Sequence, residues 1–204
     1  MAKRIKYSKE QIDVLLSNIW DEKVNPYFLP QDLYEAIADN LKTALYDGFG
    51  ANLETVEGIY GKASAELLTE LRTNIYQFSA AKTFNMVEEM RGVLVEDGKV
   101  LTLDQFKAKA NVIFERYNNT WLETEYNTAI GQAEIGRKWK EIQSQKSTFP
   151  FIKYNAVIDS HTSDICAPLD NIVLPVDHPF WKKFTPLNHF NCRCVLEQME
   201  TANG

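Results

Sequence analysis

Neither cysteine nor histidine occurs in the first 160 residues of this 204-residue chain. Thiol chemistry and His/Cys metal ligation are therefore excluded from most of its length. Long apolar runs are also missing: no stretch of about 18 consecutive apolar residues occurs, which excludes a membrane-spanning helix. The opening MAKRIKYSKEQ carries Lys3, Arg4 and Lys6 but no apolar run of about 7–15 residues behind them, so it does not read as a secretory signal. A protein made and kept soluble in the cytoplasm is expected. Positive charge is not in excess either. With 22 Lys+Arg against 28 Asp+Glu and a net charge of -6, the chain cannot coat nucleic acid through a broad basic surface, and any DNA contact would be local. Glycine and proline are few, 9 and 7, and 45% of the residues are hydrophobic. Disorder is thus excluded, and the length suits one domain with a smaller appended unit.

What is present from Ser8 to about Ser147 is helical periodicity. Ser8-Lys9-Glu10-Gln11 reads as a capping box before Ile12, Leu15, Leu16 and Ile19, a helix that stops before Pro26. Pro30 opens a second helix through Leu33, Ile37, Leu41, Ala44 and Leu45, ended by Asp47-Gly48. A third tract covers about 62–91. Glu96-Asp97-Gly98-Lys99 then predicts a turn between short extended pieces at 92–96 and 100–102. Thr102 or Asp104 caps a proline-free tract to Gln145, which as one straight helix would span about 60 Å. A break near Asn118-Asn119-Thr120, or a bend at Gly131 or Gly136, is expected instead. Trp121 and Trp139 read as core. Glu123 and Glu125 with Arg137, Lys138 and Lys140 read as a charged, exposed face.

At Phe149-Pro150 the composition changes. Five of the seven prolines lie beyond residue 149, and 151–158 alternates apolar and polar residues. The fold class is accordingly α+β: a mainly helical body, 1–148, and a small C-terminal strand-and-loop module, 149–204. No internal repeat or low-complexity segment occurs.

All six residues of the missing types fall in this module: His161, His178, His189, Cys166, Cys192 and Cys194. An odd number of cysteines, two of them in Cys192-Arg193-Cys194, is a poor disulfide framework and fits reduced thiols or metal ligands. His189 and Cys192 stand three apart, so one turn offers two ligands, with Cys166 or His161 completing a set; zinc is the metal such donors suit. Cys192 and Cys194 alternate, so on a strand they share one face, which suits either a metal or a packed core. The usual Cys-x2-Cys pair is absent. Asp177-His178 followed by Asn188 allows a second reading, a metal-dependent nuclease or toxin-like effector using His178 and His189; an aromatic helical turn at 179–184 interrupts that spacing. With the given chain ending at Gly204, no separate effector domain is expected. No nucleophile elbow, Walker loop or dinucleotide fingerprint is present.

The order of these signals resembles the Mu F-like and SPP1 gp7-like head morphogenesis family of tailed phages. The resemblance runs over 120–198: the helix ending Trp139-Lys140-Glu141-Ile142, the strand to Asp159, Ser160-His161-Thr162-Ser163-Asp164-Ile165-Cys166, Leu169-Asp170-Asn171, Pro186-Leu187-Asn188-His189 and Asn191-Cys192-Arg193-Cys194. It implies a non-enzymatic minor head protein of a phage or prophage, present in the host cytoplasm during assembly and then in the virion. Its implied partners are the portal protein, through which it would be held as an oligomer, other head proteins, and local DNA during packaging or ejection. Some members carry Cys-x2-Cys where Ser163 and Cys166 stand here. The positions still matching a metal set are Cys166, His189, Cys192 and Cys194. Asp159, Asp164, Asn191 and Arg193 are expected to form a structural clasp, with a buried Asp159–Arg193 pair holding the loops.

Overall fold

The computed structural model describes residues 5–202, so Lys3 and Arg4 of the basic cluster lie outside the described residues. Among the described residues the fold is α+β, mainly helices with one small hairpin up to residue 145 and a three-stranded sheet after it. It divides into two compact units. One comprises the described part of Met1–Thr43 with Arg72–Tyr126; the other comprises Ala44–Leu71 with the described part of Asn127–Gly204.

In the first unit, α1 (Lys9–Trp20) begins as its sequence dictates. The Gln11 amide N–H donates to Ser8 Oγ, and the Ser8 N–H donates to Gln11 Oε1 at 2.9 Å. Its Leu15, Leu16 and Ile19 are buried, as are Leu33, Ile37 and Leu41 of α2 (Gln31–Phe49). Each such side chain stabilises the fold by about 1.5–3 kcal/mol. Met86, Val87 and Met90 of α4 (Lys62–Gly92) add to this core. The hairpin of β1 (Val95–Glu96) and β2 (Lys99–Val100) turns through Asp97 and Gly98, both at positive φ, the backbone that a two-residue hairpin turn requires. Thr102 then makes a second capping box, with Gln105, at the start of α5 (Leu103–Glu115).

The tract after Thr102 is broken where the asparagines stand. Residues Arg116–Trp121 form a π-helical turn, and α6 (Leu122–Gln145) continues beyond it. There Lys82 donates to the Tyr117 carbonyl at 2.7 Å and to both Glu125 carboxylate oxygens at 2.9 and 2.7 Å. Glu125 thus leaves the charged exposed face assigned to it, because a buried ammonium on α4 needs its carboxylate. Trp121 is 42% exposed rather than core: it tilts against Tyr117, and the Arg116 guanidinium lies 5.1 Å from its ring centre.

In the second unit, α2 continues through Gly48 and ends at Phe49, with Gly50 supplying the left-handed backbone at φ 74. The expected stop at Asp47-Gly48 is displaced for a tertiary reason. A Cβ on Gly48 would stand 2.4 Å from the Ile130 carbonyl oxygen, so this glycine serves a close approach of two helix backbones. Helix α3 (Val56–Tyr60), absent from the sequence expectation, precedes α4. The sheet has β3 (Phe151–Asn155) at its centre, antiparallel to β4 (Val173–Pro175) and β5 (Val195–Met199). Ile152 and Tyr154 face inward, fully buried, and join Leu169, Val176, Trp181 of α7 (Trp181–Phe184), Leu196 and the three cysteines in one core. Ile142 of α6 belongs to that core, with Ile135 and Trp139 packed against it. The compositional change at 149 therefore marks where helix gives way to strand, while the compact unit holding the strands takes in α6 from residue 127. No helix among the described residues is long and apolar enough to cross a membrane.

Candidate functional site

Strand β3 stops at Asn155, short of the eight-residue alternation in the sequence, because the next amide turns to a side chain: Ala156 N–H donates to Asp170 at 2.9 Å. The loop that follows braces itself. Thr162 Oγ1 accepts from Asp159 N–H and donates to the Val157 carbonyl, both at 2.6 Å, while His161 N–H donates to the Asp159 carboxylate at 2.8 Å. Ser163 Oγ accepts from Cys166 N–H at 3.2 Å, and Ala167–Leu169 forms a single 3-10 turn. Cys166 is thereby fixed facing the core.

The other two thiols arrive from the far side of the module. His189-Phe190-Asn191-Cys192 is a tight turn closed by Cys192 N–H to the His189 carbonyl, with Asn191 left-handed at φ 57. The chain then runs extended into β5, so Cys192 and Cys194 point inward and Arg193 outward.

The three sulfurs converge within 4.8 Å of one another, and Cys166 Sγ lies 3.8 Å from Cys192 Sγ. All three are buried, free thiols. His189 stands at the edge of the trio, its Nε2 3.3 Å from Cys166 Sγ. Its Nδ1 lies 2.7 Å from the Phe190 carbonyl, which can only accept, so Nδ1 carries the proton and Nε2 keeps its lone pair in the neutral ring. The Ser163 hydroxyl, 2.9 Å from Nε2, therefore donates to it. Two further polar groups meet the cluster: Tyr154, which sequence reasoning did not single out, and Asn188, which it placed in the nuclease reading and not beside the thiols. Tyr154 directs its hydroxyl to Cys166 Sγ at 3.5 Å, and Asn188 Nδ2 donates to that hydroxyl at 2.8 Å. The only local signal for Tyr154 is its place two residues after Ile152 on the inward face of β3.

Burial alone would push the Cys166 thiol up, but hydrogen bonding with Ser163, Tyr154, Cys194 and Cys192 outweighs it and holds the thiol below its ordinary range. Burial drives Cys194 the other way, upward, with Cys166 and Cys192 adding to the shift against the Tyr154 hydroxyl.

The clasp residues separate into two sets. Arg193 reaches Asp159 through two parallel bonds of 2.7 and 2.8 Å, tying the 156–166 loop to the entry of β5. This pair lies at the surface, not buried as the sequence reading expects, because Arg193 alternates with two inward cysteines. The Arg193 hydrogen bonds, joined by the His161 amide, hold the Asp159 carboxyl well below the usual carboxylate range. Asn191 acts through its backbone at the turn. Asp164 is exposed and makes no side-chain hydrogen bond or ion pair among the described residues. Nor do the other histidines join the thiols: His161 is exposed beside Ser160, and His178 accepts from Phe180 N–H at the start of α7. Among the described residues the Cys166, Cys192, Cys194 trio is the one grouping of three or more potential ligands. His178 and His189 do not share a grouping of three or more potential metal ligands among the described residues.

A family model described as phage Mu protein F like protein matches residues 34–197. The putative capsid assembly protein F of Escherichia phage Mu is 31% identical over 81 residues, a stretch that is 40% of this chain and 18% of that protein. The aligned stretch is thus a minor part of that relative. No solved structure matches.

Proposed function

Because the chain belongs to the phage Mu protein F-like family, we propose that it is a minor head protein of a tailed phage or prophage, acting in procapsid assembly beside the portal. The match over 34–197, which takes in both the helical tract and the cysteine-bearing module, is the observation that carries this reading. The physical features agree with a binding role. The chain is acidic overall, so its contacts are with head proteins, and DNA is touched locally during packaging or ejection. The loops that hold the thiols also expose Ile158, Ile165 and Phe190, at 61%, 53% and 61%, apolar surface suited to a protein partner. No turnover is required by this role. Co-expression with the portal protein tests it: the chain co-purifies with the portal oligomer in the expected case, and separation of the two under assembly conditions sinks the portal assignment.

A further inference from the structure

We infer that Cys166, Cys192, Cys194 and His189 form a structural zinc site that staples the 156–166 loop to the β5 entry. A tetrahedral zinc with Zn–S bonds of about 2.3 Å sets its sulfurs about 3.8 Å apart and a ligating nitrogen about 3.5 Å from each sulfur. The Cys166–Cys192 separation is 3.8 Å, and His189 Nε2 lies 3.3 Å from Cys166 Sγ. A disulfide would need about 2.05 Å.

A core packed from small apolar groups explains three buried cysteines, but not what surrounds them. An apolar core gains nothing from an imidazole nitrogen and a tyrosine hydroxyl brought to the Cys166 sulfur, and desolvating those groups is costly. For a metal site the same groups have defined work. The Nδ1 proton given to the Phe190 carbonyl fixes the tautomer that leaves Nε2 free to ligate. The Tyr154 hydroxyl, itself held by Asn188, donates to a ligand sulfur. Neutral Nε2 with three sulfurs is a closed donor set of the soft type that selects zinc over magnesium or calcium. Ser163, the residue that makes the local pattern depart from Cys-x2-Cys, is not needed as a ligand, because Cys194 supplies the third thiolate. Its hydroxyl releases Nε2 as the imidazole turns inward from the edge of the trio.

Binding is a simple exchange. Three thiol protons leave to solvent, three Zn–S bonds and one Zn–N bond form, and nothing is oxidised or reduced. The energetic need is local as well: three short strands and a four-residue helix make a small core, the setting in which a metal staple contributes most.

The test uses the full chain, purified with a non-thiol reductant after growth in zinc-supplemented medium. Elemental analysis is expected to give about one zinc per chain. Exchange with cobalt(II) is expected to produce sulfur-to-metal charge-transfer absorption and the strong visible bands of tetrahedral thiolate coordination. Cys192→Ser and His189→Gln should each lower zinc affinity at least tenfold in competition with a chromophoric chelator. Since a variant can fail through misfolding, the cobalt spectrum of the unaltered chain decides independently. Zinc well below one per chain together with no cobalt–thiolate absorption overturns the site, and so does zinc binding indifferent to both substitutions in folded protein. These readouts do not involve the portal, so their outcome is separate from that of the head-assembly reading.

Discussion

Replacing Lys82 by methionine isolates the energetics of the buried ion pair at the π-helical turn. The lysine side chain is 3% exposed and that of Glu125 12%. All three ammonium hydrogens are used, on the Tyr117 carbonyl and on both oxygens of Glu125. Methionine keeps the stem's packing but leaves the carboxylate without its cation and the carbonyl without its donor. Removing one partner of a buried pair costs about 3–5 kcal/mol. At roughly 2–4 °C per kcal/mol for a chain of this length, the melting temperature should fall by about 6–20 °C. The loss should also depend on pH. Burial already raises the Glu125 carboxyl above its ordinary value, and without Lys82 nothing opposes that rise. An acid whose folded pKa is raised binds more protons folded than unfolded, so the variant regains stability as pH falls from neutral toward the ordinary glutamate range. Thermal and urea unfolding followed by circular dichroism at pH 7 and pH 5 reads both effects. Changing Glu125 to leucine in the same chain should restore most of the loss, since an apolar pair of similar volume is often no worse than a buried ion pair. A single-variant loss under about 1 kcal/mol, or an equal loss at both pH values, refutes the reasoning.

Three other changes probe the backbone contact, the clasp and the site. Gly48→Ala drives a Cβ to within 2.4–2.9 Å of the Ile130 backbone, so it should cost about 1–3 kcal/mol in urea unfolding, and an unchanged midpoint would contradict the close approach. Asp159→Asn should be mildly destabilising at neutral pH. Because Arg193 holds the folded Asp159 pKa low, the difference from wild type should begin to shrink as pH falls through the ordinary carboxylate range and go on shrinking well below it, until Asp159 protonates in the fold; a difference that does not change with pH over that span would refute the pairing. Tyr154→Phe takes from the Asn188 amide the shorter of its two acceptors, leaving the Phe184 carbonyl at 3.5 Å, and removes the hydroxyl from Cys166, at about 1–3 kcal/mol, with weaker retention of zinc; equal stability and retention would remove Tyr154 from the cluster.

Features set by neighbours in the chain were legible in the sequence. The Ser8 capping box, the helix start marked by Thr102 or Asp104 and the Asp97-Gly98 turn rest on contacts within four residues; the box and the turn stand where their residues place them, and of the two caps offered Thr102 is the one used. Features set across the fold were not. Gly48 resembles a helix stop because nothing local distinguishes a glycine needed for left-handed backbone from one needed by another helix's carbonyl. The interruption at Asn118-Asn119-Thr120 could be located, but its form and the withdrawal of Glu125 from the surface depend on Lys82, which stands 43 residues from Glu125. Helix α3 is too short, at five residues, to show a period. At the site, composition concentrated the candidate ligands in the last 44 residues, and the one-residue spacing of Cys192 and Cys194 placed them on one face. Separating His189 from His161 and His178 needed the turn at Asn191, and the parts of Tyr154 and Asn188 needed the packing of β3.

Procapsids assembled in cells from the phage head genes, with this gene present or deleted, give the most direct test of the head-assembly assignment. After gradient sedimentation the chain should be found in the procapsid fraction with the portal, and its deletion should lower the yield of DNA-filled heads. A chain that stays wholly in the soluble fraction, while heads form and fill normally without it, would contradict the account.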